Sequence, residues 1–200
     1  MKLRHNPASP YVRKVMVCAH ELGLAGRIEL LSTAVSPVET NATLAAENPL
    51  MKIPALTTDD GQVLFDSPVI CEYLDSVAGG KLFPAAGTAR WAALCQQALG
   101  DGILDALILC RYEIAARPED KRHAGWTDGQ MKKAHQGLAA LELEDLSGRT
   151  IGSVTAGCTL GYLDFRFPSD GWRTRHPKLA EWYKGVEALP SMQATKPPAG

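Results

Sequence analysis

The stretch Ser9-Pro10-Tyr11-Val12-Arg13 decides how the N-terminal part of this chain is read, and Ser67-Pro68 repeats its device. A Pro in the first helical turn loses no needed N–H, and a Ser before it can cap the free amides, so Ser9 is the natural N-cap of a helix running to about Leu22. Gly23 stops that helix. Working outward, Lys2 to Asn6 reads as a short strand and Arg27 to Thr33 as a second one. Val35 to Asn48 is weakly patterned, with a short helix after Thr40 and a break at Asn48-Pro49. Pro54 to Thr58 and Gln62 to Phe65 flank the turn sequence Asp59-Asp60-Gly61 and form a hairpin. Ser67 then caps a helix through about Val77. The order is βαβ, a loop, then ββα, which makes residues 1–78 an α/β unit.

Beyond Gly79-Gly80 the texture changes. Residues 79–87, with Leu82-Phe83-Pro84, read as a linker, and no convincing strand follows it. Thr88 to Ala116 is a long helical pattern, Thr127 to Leu146 a more polar one, and Pro177 to Ala188 a last amphipathic one that ends before Pro190. Ser153 to Phe165 is apolar all round and reads as a buried central helix. An all-helical domain over 88–200 packed on the α/β domain is therefore expected.

Composition bounds the function classes. The 200 residues carry 46% apolar content and a formal charge of −1, which fits one large or two small domains with proper cores. Lys132-Lys133 and Arg173/Arg175 are too sparse for a phosphate-binding face, so no nucleic-acid partner is expected. Met1-Lys2-Leu3-Arg4 lacks the apolar core of a signal peptide, and no apolar run reaches membrane-spanning length, the best, Ile151 to Leu163, being interrupted by Gly, Ser and Thr. No membrane partner and a cytoplasmic location are expected. The five cysteines (Cys18, Cys71, Cys95, Cys110, Cys158) sit in apolar stretches without Cys-x-x-Cys spacing and read as ordinary buried thiols, with no disulfide framework and no metal site. Cys18 and His20, two apart on a helix, point in different directions.

Taken together, Ser9-Pro10-Tyr11-Val12-Arg13, Asn48-Pro49-Leu50-Met51-Lys52-Ile53-Pro54-Ala55-Leu56, Asp66-Ser67-Pro68-Val69-Ile70 and Leu82-Phe83-Pro84 resemble the cytosolic glutathione S-transferases, and within them the bacterial, serine-type branch. The Asn-Pro-x-x-Lys-Ile-Pro run, followed by Asp-Ser twelve residues after its second Pro, is the most specific part. The resemblance covers nearly the whole chain. It implies a thioredoxin-like, glutathione-binding N-terminal domain, an all-α C-terminal domain and a homodimer acting in detoxification. Glutathione enters as a cosubstrate, with no further cofactor, and the second substrate is a small hydrophobic electrophile.

The chemistry can be weighed on its own terms. A free thiol with a pKa of about 8.5 is only about 3% thiolate at pH 7, and the thiolate is the nucleophile. Lowering that pKa by about two units requires roughly 2.7 kcal/mol of preferential stabilisation. One hydrogen bond to a charged acceptor gives about 1.5–3 kcal/mol and a helix N-terminus roughly 0.3–1, so one well-placed hydroxyl suffices. Ser9 either merely caps its helix or is that hydroxyl, and the resemblance favours the catalytic role. Other branches use Tyr or Cys; here the first strand carries His5 where some have Tyr, and the segment has no Cys. A Ser where a redox cysteine would be needed disfavours thiol–disulfide exchange.

The remaining site residues follow the same pattern of paired readings. An isolated Ile-Pro bond is trans by default, about 5–6% being cis. The resemblance implies a cis Pro54, turning the backbone N–H and C=O of Ile53 toward the ligand's cysteinyl unit like an added strand. Lys52 is either a solvated lysine or a partner for a ligand carboxylate. Asp66 and Ser67 are an ordinary helix start or, by resemblance, an anion site beside an ammonium acceptor, suited to a γ-glutamyl end. Tyr11, Arg111 and Tyr112 are candidates for the wall of the second-substrate cleft. Asp101 and Asp105, four apart on one helix face, read as a solvated or inter-subunit face rather than an acid–base pair. Thr150-Ile151-Gly152-Ser153 carries Ser where the family usually has the acid of a capping box, which weakens the reciprocal cap without removing it. The competing function class is a non-catalytic glutathione-binding or regulatory module on the same scaffold.

Overall fold

A computed structural model describes residues 1–198; residues 199–200, the end of the expected helical domain, lie outside the described residues. Four short strands come first: β1 (Lys2–His5), β2 (Glu29–Ser32), β3 (Leu56–Thr57) and β4 (Val63–Leu64), in the sheet order β2-β1-β3-β4. β1 and β2 run parallel with Leu3 opposite Leu30, as a crossover connection through a helix allows. β3 is antiparallel to both β1 and β4, Leu56 standing between Leu3 and Leu64. With α1 (Pro10–Glu21), α2 (Ala42–Glu47) and α3 (Ser67–Val77), this is the expected thioredoxin-like unit.

The helical region holds α4 (Gly87–Ala115), α5 (Ala124–Leu141), α6 (Ile151–Arg166), α7 (Trp172–Arg175), α8 (Pro177–Glu187) and α9 (Pro190–Ala194). Two of these are additions to the expected set. α9 begins at Pro190, read from the sequence as a stop, because a Pro in the first turn starts a helix as readily as it ends one. α5 starts three residues earlier than expected, capped by His123, whose Nδ1 accepts from Trp126 N at 3.0 Å. α6 is buried on every side and runs through the middle of the helical layer. It comes close to α4 at Gly100, where a Cβ would stand 2.8 Å from Thr155 Cγ2, and Thr159 Oγ1 donates to Gly100 O at 3.2 Å. α4 is long and apolar enough to cross a membrane by composition, which corrects the reading that no run reached that length; half of that stretch is buried inside the helical layer.

The linker is tied down from both sides. Asp75 on α3 is buried and accepts from the N–H groups of Lys81 and Leu82 at 2.7 Å each and of Phe83 at 3.2 Å. Ile151 N donates to Leu82 O at 2.9 Å, which fixes the linker to the start of α6. There the capping box is complete: Ser153 Oγ accepts from Thr150 N at 3.0 Å and Thr150 Oγ1 from Ser153 N at 3.4 Å. Four of the five cysteines are buried as expected, but Cys95 is exposed on the outer face of α4.

Candidate active site

The strand register gathers the three N-terminal motifs at one end of the sheet. β1 runs out of the sheet at His5 toward Ser9. Arg4 N donates to Ala55 O at 2.9 Å, so Ile53-Pro54 lies beside that exit. β4 returns antiparallel to β3 and delivers Asp66 and Ser67 to the same end.

Ser9 has extended backbone (φ −82, ψ 121), and its Oγ accepts from Val12 N at 3.3 Å. Asn6 shapes the approach, accepting from Ala8 N on its side chain at 2.9 Å and from Ser9 N on its carbonyl at 3.0 Å. The cap occupies a lone pair of Oγ, and the hydroxyl hydrogen has no acceptor among the described residues. Capping the helix and donating to an anion therefore do not compete, although the sequence presents them as alternatives. His5 is partly buried and its pKa is lowered by that burial, so at neutral pH it is an uncharged neighbour.

The Ile53–Pro54 bond is cis, as the resemblance implies. Neither the N–H nor the C=O of Ile53 has a partner among the described residues. Asn48 holds the loop before it, donating from Nδ2 to Lys52 O at 2.9 Å and accepting from Leu50 N at 3.0 Å. Lys52 is exposed and makes no ion pair within the described residues. The cap of α3 is Asp66 rather than Ser67: the helical backbone begins at Ser67, and the Asp66 side chain makes no cap bond. That correction leaves an exposed, unengaged carboxylate at Asp66, a buried Ser67, and the N–H groups of Ser67 and Val69 without acceptors among the described residues.

Facing this end is α4. Of the two carboxylates expected on a solvated or inter-subunit face, Asp105 is exposed and Asp101 partly buried, and both are engaged by α1 of the same chain. Lys14 Nζ, with a side chain 0% exposed, meets both oxygens of Asp101 at 2.6 and 2.7 Å, and the Tyr11 hydroxyl donates to Asp105. Burial lifts the Asp101 carboxyl above its ordinary range; Lys14 pulls the other way, while Asp105 and Asp66 push with the burial. Burial and then Asp105 also raise the Tyr11 phenol, so it stays protonated and able to donate.

Tyr11, Arg111 and Tyr112 each share an electrostatic influence with a residue the sequence hid, Tyr162 on α6. Burial raises its phenol against the pull of Arg166 and Arg111, with Tyr112 adding to the rise. Tyr11 feels the same hydroxyl. Tyr162 also lines a narrow crevice with Ser9, Arg13, Cys158 and Pro197. Arg13 is buried there and donates from Nη2 to Met192 O at 3.2 Å. Burial pushes the Cys158 thiol up to about 11, which keeps it neutral and inert. In sequence, Tyr162 lies inside a segment apolar on every side, where a tyrosine looks like core.

Comparison with known proteins bears on this arrangement. The glutathione S-transferase N-terminal domain model matches residues 8–77 and the C-terminal domain model residues 124–185. The chain is 30% identical over 205 residues to the uncharacterized GST-like protein YibF of Escherichia coli (strain K12), covering 99% of each. It is 50% identical to a glutathione transferase family member from Pseudomonas fluorescens Pf-5 solved with bound glutathione, covering 98% of each chain with a TM-score of 0.95. A structure of a family member from the same organism, with bound S-(propanoic acid)-glutathione, is 49% identical, with 99% of this chain and 100% of that one covered and a TM-score of 0.91.

Proposed function

The chain belongs to the glutathione S-transferase family, and on that premise we propose that it is a glutathione transferase that holds reduced glutathione as a thiolate beside Ser9 and directs it at a small electrophile. The observation that carries this reading is the Ser9 hydroxyl, whose cap bond leaves its hydrogen free to donate. A sulfur anion in front of it receives a charge-assisted bond and the field of the α1 N-terminus, together the roughly 2.7 kcal/mol that neutral-pH ionisation requires.

The rest of the tripeptide has matching groups. The unpaired N–H and C=O of Ile53 suit the cysteinyl backbone. The open N–H groups of Ser67 and Val69 suit the γ-glutamyl carboxylate, Asp66 its ammonium, and the exposed Lys52 the second carboxylate. The thiol proton leaves to water. The sulfur lone pair then forms a bond to the electrophilic carbon; in a substitution the leaving group departs with its electron pair, and in an addition the neighbouring carbon takes a proton from water. The related Pseudomonas structures with bound glutathione and a glutathione thioether support this reading.

The electrophile would enter between Ser9 and the wall of Tyr11, Arg111, Tyr112 and Tyr162. A cytoplasmic homodimer acting in detoxification completes the proposal; exposed Val69 on α3 and Trp91 on α4 offer apolar surface for the second subunit. The test is the pH dependence of glutathione conjugation in the parent and in Ser9→Ala. The reading expects the acidic limb of kcat/KM to move up by about two pH units in the variant. An unchanged profile would reject Ser9 as the activating group, and glutathione binding without turnover across a broad electrophile panel would assign the chain to the non-catalytic class.

A further inference from the structure

Beyond the end of α4 the chain doubles back into α5 over residues 116–123, and this turn is held from inside. Arg122 donates from Nη2 to Ile114 O at 2.7 Å and from Nε to Arg117 O at 3.3 Å. His123 N donates to Glu113 Oε1 at 2.8 Å, and Arg117 Nε meets Glu113 Oε2 at 2.8 Å. These bonds shape a pocket of about 580 Å³ lined by Glu113, Arg117, Lys121, His123, Gly125 and Trp126, a volume that suits a small molecule. It shares no residue with the crevice beside Ser9. Glu113 stands about 12 Å further along α4 than Asp105, the carboxylate that Tyr11 reaches.

The polar groups of the lining are one-sided. Glu113 supplies its carboxylate, and both oxygens already accept. His123 Nδ1 accepts from Trp126 N at 3.0 Å, which puts the ring's proton on Nε2 as a donor. With Nε spent on Glu113, Arg117 keeps both Nη groups. Lys121 Nζ, His123 Nε2 and Trp126 Nε1 make no hydrogen bond among the described residues. Every free side-chain group is therefore a donor, and Arg117 and Lys121 against Glu113 leave one net positive charge. Glu119 and Asp120, the other acids of the turn, do not line the pocket. A ligand offering acceptors and negative charge satisfies such a lining, whereas a donor would be desolvated there without a partner.

Two features narrow the anion. The free Nη edge of Arg117 presents two parallel N–H groups, the geometry that a carboxylate takes up bidentately. Trp126 is 49% exposed and Gly125 beside it carries no side chain, so the indole surface is open to a flat ring.

We propose that this pocket is a second binding site, separate from the glutathione site, for a small aromatic carboxylate whose ring lies on Trp126 and whose carboxylate sits between Arg117 and Lys121. The site is independent of the conjugation reading above.

Calorimetric titration of the full chain with 1-naphthoate, and with the near-isosteric uncharged 1-naphthamide, tests it. The parent is expected to bind the carboxylate at least about tenfold more tightly than the amide. Lys121→Gln, at an exposed position with no ion pair to lose, should cut that preference several-fold. Arg117→Lys, which keeps the charge and loses the fork, should do the same. Trp126→Ala should weaken both ligands alike. Saturating S-hexylglutathione, added to occupy the site beside Ser9, should leave the naphthoate affinity unchanged. Absence of naphthoate binding, equal affinities for the two ligands, an unaltered preference in both cation variants, parent-like binding by Trp126→Ala, or displacement by S-hexylglutathione would each overturn the proposal.

Discussion

Asp101→Asn is expected to destabilise this chain more than Lys14→Met, although both break the same ion pair. The Lys14 side chain is 0% exposed and that of Asp101 is 18% exposed. Neutralising Asp101 strands a buried ammonium, a loss of about 3–5 kcal/mol. Removing the lysine leaves a carboxyl that reaches solvent and can take up a proton, a loss of roughly 1–3 kcal/mol. Against a typical total of about 5–15 kcal/mol, the first is visible as a large fall in the urea midpoint. The pH dependence adds a second signature. Because burial raises the folded pKa of Asp101 above its unfolded value, its contribution to stability is present in full below the unfolded pKa and is lost as pH rises through the folded one. Lys14→Met removes the largest opposing pull and moves the folded value higher, so its deficit should be smallest in acid and grow toward neutrality. Urea unfolding of the parent, both single variants and the pair across pH 4–8 measures all of this. Asp101→Asn within about 1 kcal/mol of the parent, or a Lys14→Met deficit that is flat with pH, would refute the buried-pair reasoning.

Three further outcomes follow from packing and capping. Asp75→Ala removes the acceptor of three linker N–H groups and should lower stability by about 2–4 kcal/mol in denaturant unfolding, with faster hydrogen exchange at Lys81, Leu82 and Phe83. Ser153→Ala opens one half of the capping box and should lower stability by about 1 kcal/mol, read as a shift in thermal midpoint. Gly161→Ala drives a methyl against the Arg13 guanidinium and the Tyr183 hydroxyl and should lose roughly 1–3 kcal/mol in urea unfolding while displacing Arg13 from the crevice beside Ser9.

Much of the N-terminal half was legible because its signals are local. Ser9-Pro10, Gly23 and Asp59-Asp60-Gly61 each dictate a cap, a stop or a turn within a few residues, and β1, α1 and the hairpin appear there. Local signals fail where a residue has two uses. Pro190 reads as a stop and serves as a start, and Ser67 resembles the cap that Asp66 occupies. They fail altogether for partners distant in sequence. Lys14 looks like a solvent-facing helix residue until α4 brings Asp101 to it, and Asp75 looks like surface until the linker folds back onto it. Tyr162 was masked by the apolar helix around it.

The most direct measurement of the central claim is the ionisation of bound glutathione, followed by the ultraviolet absorbance of its thiolate as pH is varied. The parent should show a bound thiol pKa about two units below the free value of about 8.5, and Ser9→Ala should return it close to that free value. The same lowered pKa in both proteins would show that the Ser9 hydroxyl does not hold the thiolate.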